Sequence, residues 1–451
     1  MNFNSLNFLL FFTVVLLLYC LLPRKARWIL LLGANYYFYM SWNPWLVFLI
    51  LGTTLVSFLA GLGMEKARSD RGKNCLLWLT LAVCLGTLFV FKYMNFFLGT
   101  RFSLILPVGI SFYTFQTLSY VIDVRRGKFP AERHFGYYAL YVSFFPQLVA
   151  GPIERPENLL PQLRSAQNPT AADLHGGFAL MLQGFVKKVV IADTVAAAVN
   201  AVYAAPDSAN GLAVVLATVL FAVQIYCDFA GYSEIAMGAA RMLGIRLMRN
   251  FDCPYAAVTV RQFWQRWHIS LTKWFTDYVY IPLGGSRQGL ARTCLNTMIV
   301  FLLSGLWHGA NWTFVVWGAL HGAYLVVERL AEKKLPQNSI LRRGMTLAAV
   351  CFGWIFFRAQ SLTDAVSLIC RIFTPWSIPE AFRLMGLDVR MTVLTVLCAV
   401  LLAALDSGSE KPFALTEKRA LTYGMLILAV AAAWIMGIHS GAGSAFIYFQ
   451  F

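Results

Sequence analysis

The chain has 451 residues, of which 59% are hydrophobic and 13% charged, with a mean hydropathy of +0.63. Soluble domains carry about 25% charged residues, so this composition excludes a soluble globular protein and identifies an integral membrane protein. The net charge of +16 (37 Lys+Arg against 21 Asp+Glu) fits cytoplasmic loops that collect basic residues and touch anionic lipid headgroups; no nucleic-acid partner is expected.

Apolar segments of about 20 residues recur where a β-barrel would alternate, so the fold class is all-α. Met1–Leu22 has no basic leader, and its apolar run stops at Pro23-Arg24-Lys25. It reads as a first transmembrane helix with its N-terminus outside, rather than as a cleaved signal. Candidate spans follow in chain order at 5–22, 28–40, 44–63, 75–98, 103–121, 136–150, 176–203, 211–240, 293–328, 345–358, 390–406 and 420–438. Some are short or long for one crossing, so about 10–12 membrane helices are expected.

Basic clusters at Arg24/Lys25/Arg27, Lys66/Arg68/Arg71/Lys73, Arg125/Arg126/Lys128/Arg133, Arg241/Arg246/Arg249, Arg329/Lys333/Lys334/Arg342/Arg343 and Lys411/Lys418/Arg419 are assigned to the cytoplasm. The last cluster sends the final helix outward. No repeat, low-complexity tract or soluble domain interrupts the chain, which reads as one membrane domain over 1–451. The nine cysteines form neither a CxxC pair nor a zinc-type cluster, so no metal site or disulfide framework is expected.

Two segments depart from the plain pattern. Residues 250–292 are aromatic and apolar yet carry Arg261, Arg266, His268, Lys273, Asp277 and Arg287. From Thr259 onward Phe263, Trp264, Trp267, Leu271, Trp274, Phe275 and Tyr278 recur at helical spacing, which predicts an interfacial or buried helix ending at Pro282-Leu283-Gly284-Gly285. The stretch Leu303–Trp317, LSGLWHGANWTFVVW, places His308 in an otherwise apolar run. A full charge at membrane depth costs about 2.5–3.5 kcal/mol on insertion scales, so such a group lines a cavity or does chemistry. The plain alternative is a neutral imidazole hydrogen-bonded to a neighbouring helix.

The strings PVGISFYTFQTLSYVIDVRRG (Pro107–Gly127), FFPQLVAGPIERPENLLPQL (Phe144–Leu163), YCDFAGYSEIAMGAARMLGI (Tyr226–Ile245), FWQRWHISLTKWFTDYVYIPLGG (Phe263–Gly285) and SGLWHGANWTFVVWG (Ser304–Gly318) resemble the membrane-bound O-acyltransferase family. More narrowly, they resemble its bacterial branch that O-acetylates exported polysaccharides such as alginate, peptidoglycan or cellulose, or loads D-alanine onto teichoic acid. The resemblance covers nearly the whole chain, with its core over 107–318. It implies a ring of transmembrane helices, with re-entrant and interfacial helices, around a central tunnel from a cytoplasmic donor site to an extracytoplasmic acceptor site. It also implies that the family histidine falls on His308, that a second motif position falls on His268, and that acetyl-CoA is the donor substrate, with no separate cofactor.

The chemistry is consistent with that implication. A hydroxyl acceptor needs a base within hydrogen-bond reach, and a thioester carbonyl needs donors for its developing oxyanion. His308 is the candidate base; Asn311, one turn on if the segment is helical, and the indoles of Trp307 and Trp312 are candidate donors, with packing as the alternative for the two tryptophans. His268 is a candidate to orient the donor or partner His308. Arg261, Arg266 and Lys273 are placed to meet CoA phosphates at the cytoplasmic mouth and serve equally well as snorkelling lipid anchors. Asp228, Glu234 and Asp277 are expected to order a histidine or pair with Arg266, Lys273 or Arg241. His134 is expected to be solvated, and His321 to support the histidine motif.

The tail 446–451, FIYFQF, reads as an aromatic anchor at the outer interface. It also resembles the aromatic-tyrosine motif of the small partner peptide of teichoic-acid D-alanylation, which implies that Tyr448 carries the acyl group covalently. These readings converge on an O-acetyltransferase of the bacterial cytoplasmic (inner) membrane. It would move acetyl outward to an SGNH-type transferase and a polysaccharide acceptor. The alternatives are acylation of teichoic acid, lipid or protein, and a polytopic transporter, which the absence of a repeated pair of interrupted helices disfavours.

Overall fold

The computed structural model describes the chain apart from residues 101, 103, 150, 166, 337, 408–416, 436–445 and 447–451. Every regular element among the described residues is helical. Seven of these helices are long and apolar enough to cross a bilayer: Pro44–Lys66, Asp70–Leu98, Gly211–Met242, Gly289–His308, Trp312–Ala331, Ser339–Arg358 and Val389–Asp406. The chain is therefore an all-α, multi-pass membrane protein.

Several predicted spans are divided, each for a local reason. The span expected at 103–121 begins only at Ile110, because Pro107 precedes it and Gly109 holds a left-handed backbone (φ 72°). The span at 136–150 is two short helices, Phe135–Ser143 and Phe145–Leu148, with Pro146 in the first turn of the second, where a missing N–H costs nothing. The span at 176–203 is Ala171–Phe185 and Asp193–Tyr203 joined by a π-helical turn, Val186–Ala192. The long span at 293–328 is two helices, Gly289–His308 and Trp312–Ala331.

The chain forms two compact units, Met1–Met181 with Tyr232–Arg249, and Leu182–Gly231 with Asn250–Phe451. In the first, the almost wholly buried helix Ile110–Arg125 packs on Val47–Lys66 and Asp70–Leu88. Two of the buried tyrosine hydroxyls of this unit are paired, as burial favours. Tyr138 donates to Ser57 Oγ at 2.7 Å, and Tyr120 Oη accepts from Glu132 N at 2.9 Å. His134 is exposed, as expected, and it also caps the helix Phe135–Ser143 by accepting from Tyr137 N at 3.2 Å and packs against Trp28.

In the second unit, Gly289–His308 and Trp312–Ala331 form an antiparallel hairpin closed by small residues. A Cβ at Gly305 would lie 3.3 Å from Gly318 Cα, and one at Gly322 would lie 2.9 Å from Met298 Sδ. Close backbone approach of this kind is how membrane helices gain van der Waals contact where lipid supplies no hydrophobic drive. Ser339–Arg358 packs beside Trp312–Ala331. The π-helical turn buries Lys188, whose Nζ meets Asp193 at 2.9 Å and Asp228 at 2.5 Å. Asp228, expected to order a histidine or to pair with Arg266, Lys273 or Arg241, pairs with Lys188. The lysine that reaches it was hidden in an apolar segment, and only the π-turn brings the two together.

Candidate active site

His308 is the last residue of its helix. Gly309 leaves the helix in an extended conformation (φ −162°, ψ 151°), and Asn311 starts the next one as its N-cap. The chain therefore turns immediately after His308 and leaves the imidazole at a helix end. It is buried, and it stands against Trp307 and Trp317 with ring centroids 5.0 Å away, and against Phe357 at 5.3 Å.

His268 was expected within one continuous helix running from Thr259. That helix is broken into Val260–Arg266 and Ile269–Phe275, with a π-helical continuation Thr276–Tyr280. The break is His268 itself, in the left-handed region at φ 42° and ψ 54°. A side chain in that region costs of order 1–3 kcal/mol, a strain found mainly at functional sites. The predicted end at Pro282-Leu283-Gly284-Gly285 holds, with Gly284 at φ 103° and Gly285 at φ 57°.

This break points the fully buried His268 ring at Phe229 (4.7 Å), Trp307 (5.9 Å) and His308 (6.4 Å). Imidazoles at that centroid separation do not hydrogen-bond directly. Burial pushes the His268 pKa down to about 3, which favours the neutral ring. A neutral imidazole offers one donor and one acceptor and adds no charge to the site.

The other candidates separate clearly. Trp307 is buried and borders both imidazoles, which places its indole at the site. Asn311 is not one helical turn from His308, because the helix has ended. Its Oδ1 accepts from Thr313 N at 3.1 Å and its Nδ2 donates to Gln360 O at 2.8 Å, so its amide is engaged in capping and in a tertiary contact. Trp312 is 57% exposed. Arg261 and Lys273 are exposed and Arg266 half-exposed, a disposition suited to polyanions or headgroups rather than to the buried centre. Tyr448 lies outside the described residues, but Phe446 is buried with its ring 5.7 Å from Phe229, the ring that also packs on His268.

His321, marked in the sequence, and other residues that it did not mark complete the enclosure. His321 is fully buried, and its Nδ1 accepts from the Trp264 indole at 3.3 Å, which ties Trp312–Ala331 to Val260–Arg266. Glu328, two turns on, accepts from Val260 N at 2.6 Å and Arg261 N at 3.4 Å, capping the same short helix. Phe229 and Phe357 carried no signal beyond hydrophobicity. Chemically, the arrangement offers two imidazoles in a dry aromatic enclosure, suited to proton transfer to and from a hydroxyl or thiol.

The chain is 37% identical to "Probable alginate O-acetylase AlgI" of Pseudomonas putida over the whole length of both proteins. It is 33% identical to "Peptidoglycan O-acetyltransferase" of Helicobacter pylori, over 76% of this chain and 72% of that protein. It is 27% identical to "Teichoic acid D-alanyltransferase" of Bacillus subtilis, over 57% of this chain and 70% of that protein. Residues 132–369, which contain both site histidines, match the profile of the membrane-bound O-acyltransferase family, and the chain is a member of that family, an acyltransferase built into the membrane.

Proposed function

We propose that this protein takes acetyl groups from cytoplasmic acetyl-CoA and passes them across the bacterial inner membrane for O-acetylation of an exported polysaccharide. The observation that carries the reading is the buried pair His268 and His308, edge to face at 6.4 Å in a wall of tryptophan and phenylalanine. His308 takes the proton from an attacking hydroxyl, and the oxygen forms a bond to the thioester carbonyl. The carbon–sulfur bond breaks, and the departing CoA thiolate receives the proton back from the imidazolium. Trp307, beside both rings, is the candidate donor to the oxyanion, while Arg261, Arg266 and Lys273 are candidates to hold the CoA phosphates.

The attacking hydroxyl is assigned to Tyr448. The resemblance of the tail Phe446–Phe451 to an acyl-carrying aromatic-tyrosine motif supports this. An acetyl-tyrosine retains activation because a phenol, with a pKa near 10, leaves more readily than a sugar alkoxide. It would be consumed outside by an SGNH-type transferase that delivers acetyl to the polymer. The names of the alginate and peptidoglycan relatives support a polysaccharide acceptor.

The test is reconstitution in liposomes with labelled acetyl-CoA. Label should appear on a C-terminal peptide of the wild type and be absent from His308→Ala and Tyr448→Phe. A Tyr448→Phe protein that supports normal polymer acetylation would remove the relay and leave direct transfer. A His308→Ala protein that still labels would remove the proposed base.

A further inference from the structure

We infer that Asn250, with Ser270 as its partner, is the positioning residue of His268: it holds the left-handed turn that aims the imidazole at His308. This rests on the reading that His268 belongs to the acyl-transfer site. The residue before a helix ordinarily has an extended backbone and bends its own side chain back to cap the first N–H groups. His268 occupies that position before Ile269–Phe275 but does neither; it is left-handed, and its side chain makes no capping bond.

The cap comes from elsewhere in the chain. The carbonyl of Asn250 accepts from Ile269 N at 2.9 Å, and its Oδ1 accepts from Ser270 Oγ at 2.6 Å and from Ser270 N at 3.4 Å. On the other side of the turn, Asp252 N donates to Arg266 O at 3.0 Å. The segment Asn250–Asp252 thus staples both flanks of Trp267-His268, and Phe251 between them packs its ring 5.0 Å from that of Trp267. Asn250 is completely buried.

The physical consequence is a division of labour. A histidine that capped its own helix would turn its ring toward the backbone of Ser270 and Leu271. With Asn250 taking those donors, the ring is released to face Phe229, Trp307 and His308. Left-handed backbone is tolerated by few side chains and persists only where the surroundings over-determine it. Two backbone bridges and one buried carboxamide supply that determination here. Asn250 touches no reacting atom in this scheme; it acts through His268.

The test compares Asn250→Ala, Asn250→Asp, Ser270→Ala and His268→Asn in proteoliposomes. Acetyl transfer from labelled acetyl-CoA is measured per folded, monodisperse protein. Misplacing a catalytic group by an ångström costs up to about 100-fold, so Asn250→Ala should lower kcat about 10- to 100-fold with little change in the KM for acetyl-CoA. Asn250→Asp keeps an acceptor at Oδ1 and should recover a clear part of that loss. Equal losses in the Ala and Asp variants, or wild-type kcat in folded Asn250→Ala, overturn the proposal. If Asn250→Ala does not accumulate, Ser270→Ala decides: it removes only the hydroxyl arm and should still lower kcat, and full activity there overturns the inference. His268→Asn separates the two levels. If it is fully active, the assignment of His268 to the site is wrong; if it is inactive while Asn250→Ala is normal, only the positioning role fails.

Discussion

His308 packs edge to face on Trp317 at 5.0 Å, and one turn further along the Trp317 helix His321 packs on the same indole, also at 5.0 Å. The tryptophan is a shared neighbour of the His308 imidazole and of one held by the Trp264 N–H. Such a neighbour restrains the His308 ring, which the base proposed above needs if it is to meet a proton within hydrogen-bond reach.

Removing the base should remove the reaction while sparing the fold. His308 sits at a helix end among rings that remain packed against one another without it. His308→Ala is expected to insert and purify normally and to abolish polymer acetylation, checked by acetyl content of the exported polymer beside protein yield.

The left-handed turn makes a distinct prediction for His268. Asparagine adopts φ > 0 readily, whereas a β-branched residue there adds roughly 1–2 kcal/mol of strain. His268→Val should therefore unfold at a lower temperature than His268→Asn, although both lack the imidazole. The buried ring also links stability to pH. Its pKa is about 3 in the fold against an ordinary value of 6.5, so between these values the unfolded chain binds the extra proton. Stability is full above about pH 6.5 and declines as pH falls toward 3. Thermal melts at neutral and mildly acidic pH should show a smaller acid loss in His268→Asn than in the wild type.

The buried Lys188 is compensated by Asp193 and Asp228. Lys188→Met would strand two carboxylates, and breaking a buried charge network from one side costs about 3–5 kcal/mol. A fall of several degrees in the detergent melting temperature is expected, with partial recovery when Asp228→Asn is added. An unchanged melting temperature would mean that the network contributes nothing to stability.

Gly305 lies one turn before His308, where a Cβ would come 3.1 Å from the Phe314 carbonyl carbon and 3.3 Å from Gly318 Cα. Backbone cannot yield as a side chain can, so Gly305→Val must spread the hairpin that presents His308. Overpacking of this kind costs about 1–3 kcal/mol, and acetylation should fall more steeply than protein yield. Equal falls in both would indicate a purely structural role.

Orientation is testable apart from chemistry. The basic residues around Lys66 are assigned to the cytoplasm. A cysteine replacing Lys66, in a protein freed of its native cysteines, should resist a membrane-impermeant thiol reagent in intact cells. Labelling from outside would invert the topology.

The all-helical membrane class was legible in the sequence because it rests on composition, and His308 and His268 were marked as candidates by local strings, neither of which needs knowledge of distant contacts. The helix breaks were less legible. Nothing in hydrophobic periodicity separates a helix running through Trp267-His268-Ile269 from two helices that meet there, because the residues stay apolar at the same spacing; the turn depends on Asn250, remote in sequence. The same holds for the end at His308, where Gly309 and the capping Asn311 turned one expected span into a hairpin. Asn311 drew attention as an oxyanion donor because its spacing was counted along a helix that does not continue. Lys188 gave no signal, since a lysine in an apolar run is read as a flaw in the run until its carboxylates are seen beside it. Hydrophobicity and ordinary pKa belong to residues, so the solvent in which the chain folds and the side chains available for proton transfer can be read residue by residue. Which imidazoles meet cannot, because a distance of a few ångströms between remote segments is set by packing and hydrogen bonds that no local pattern encodes.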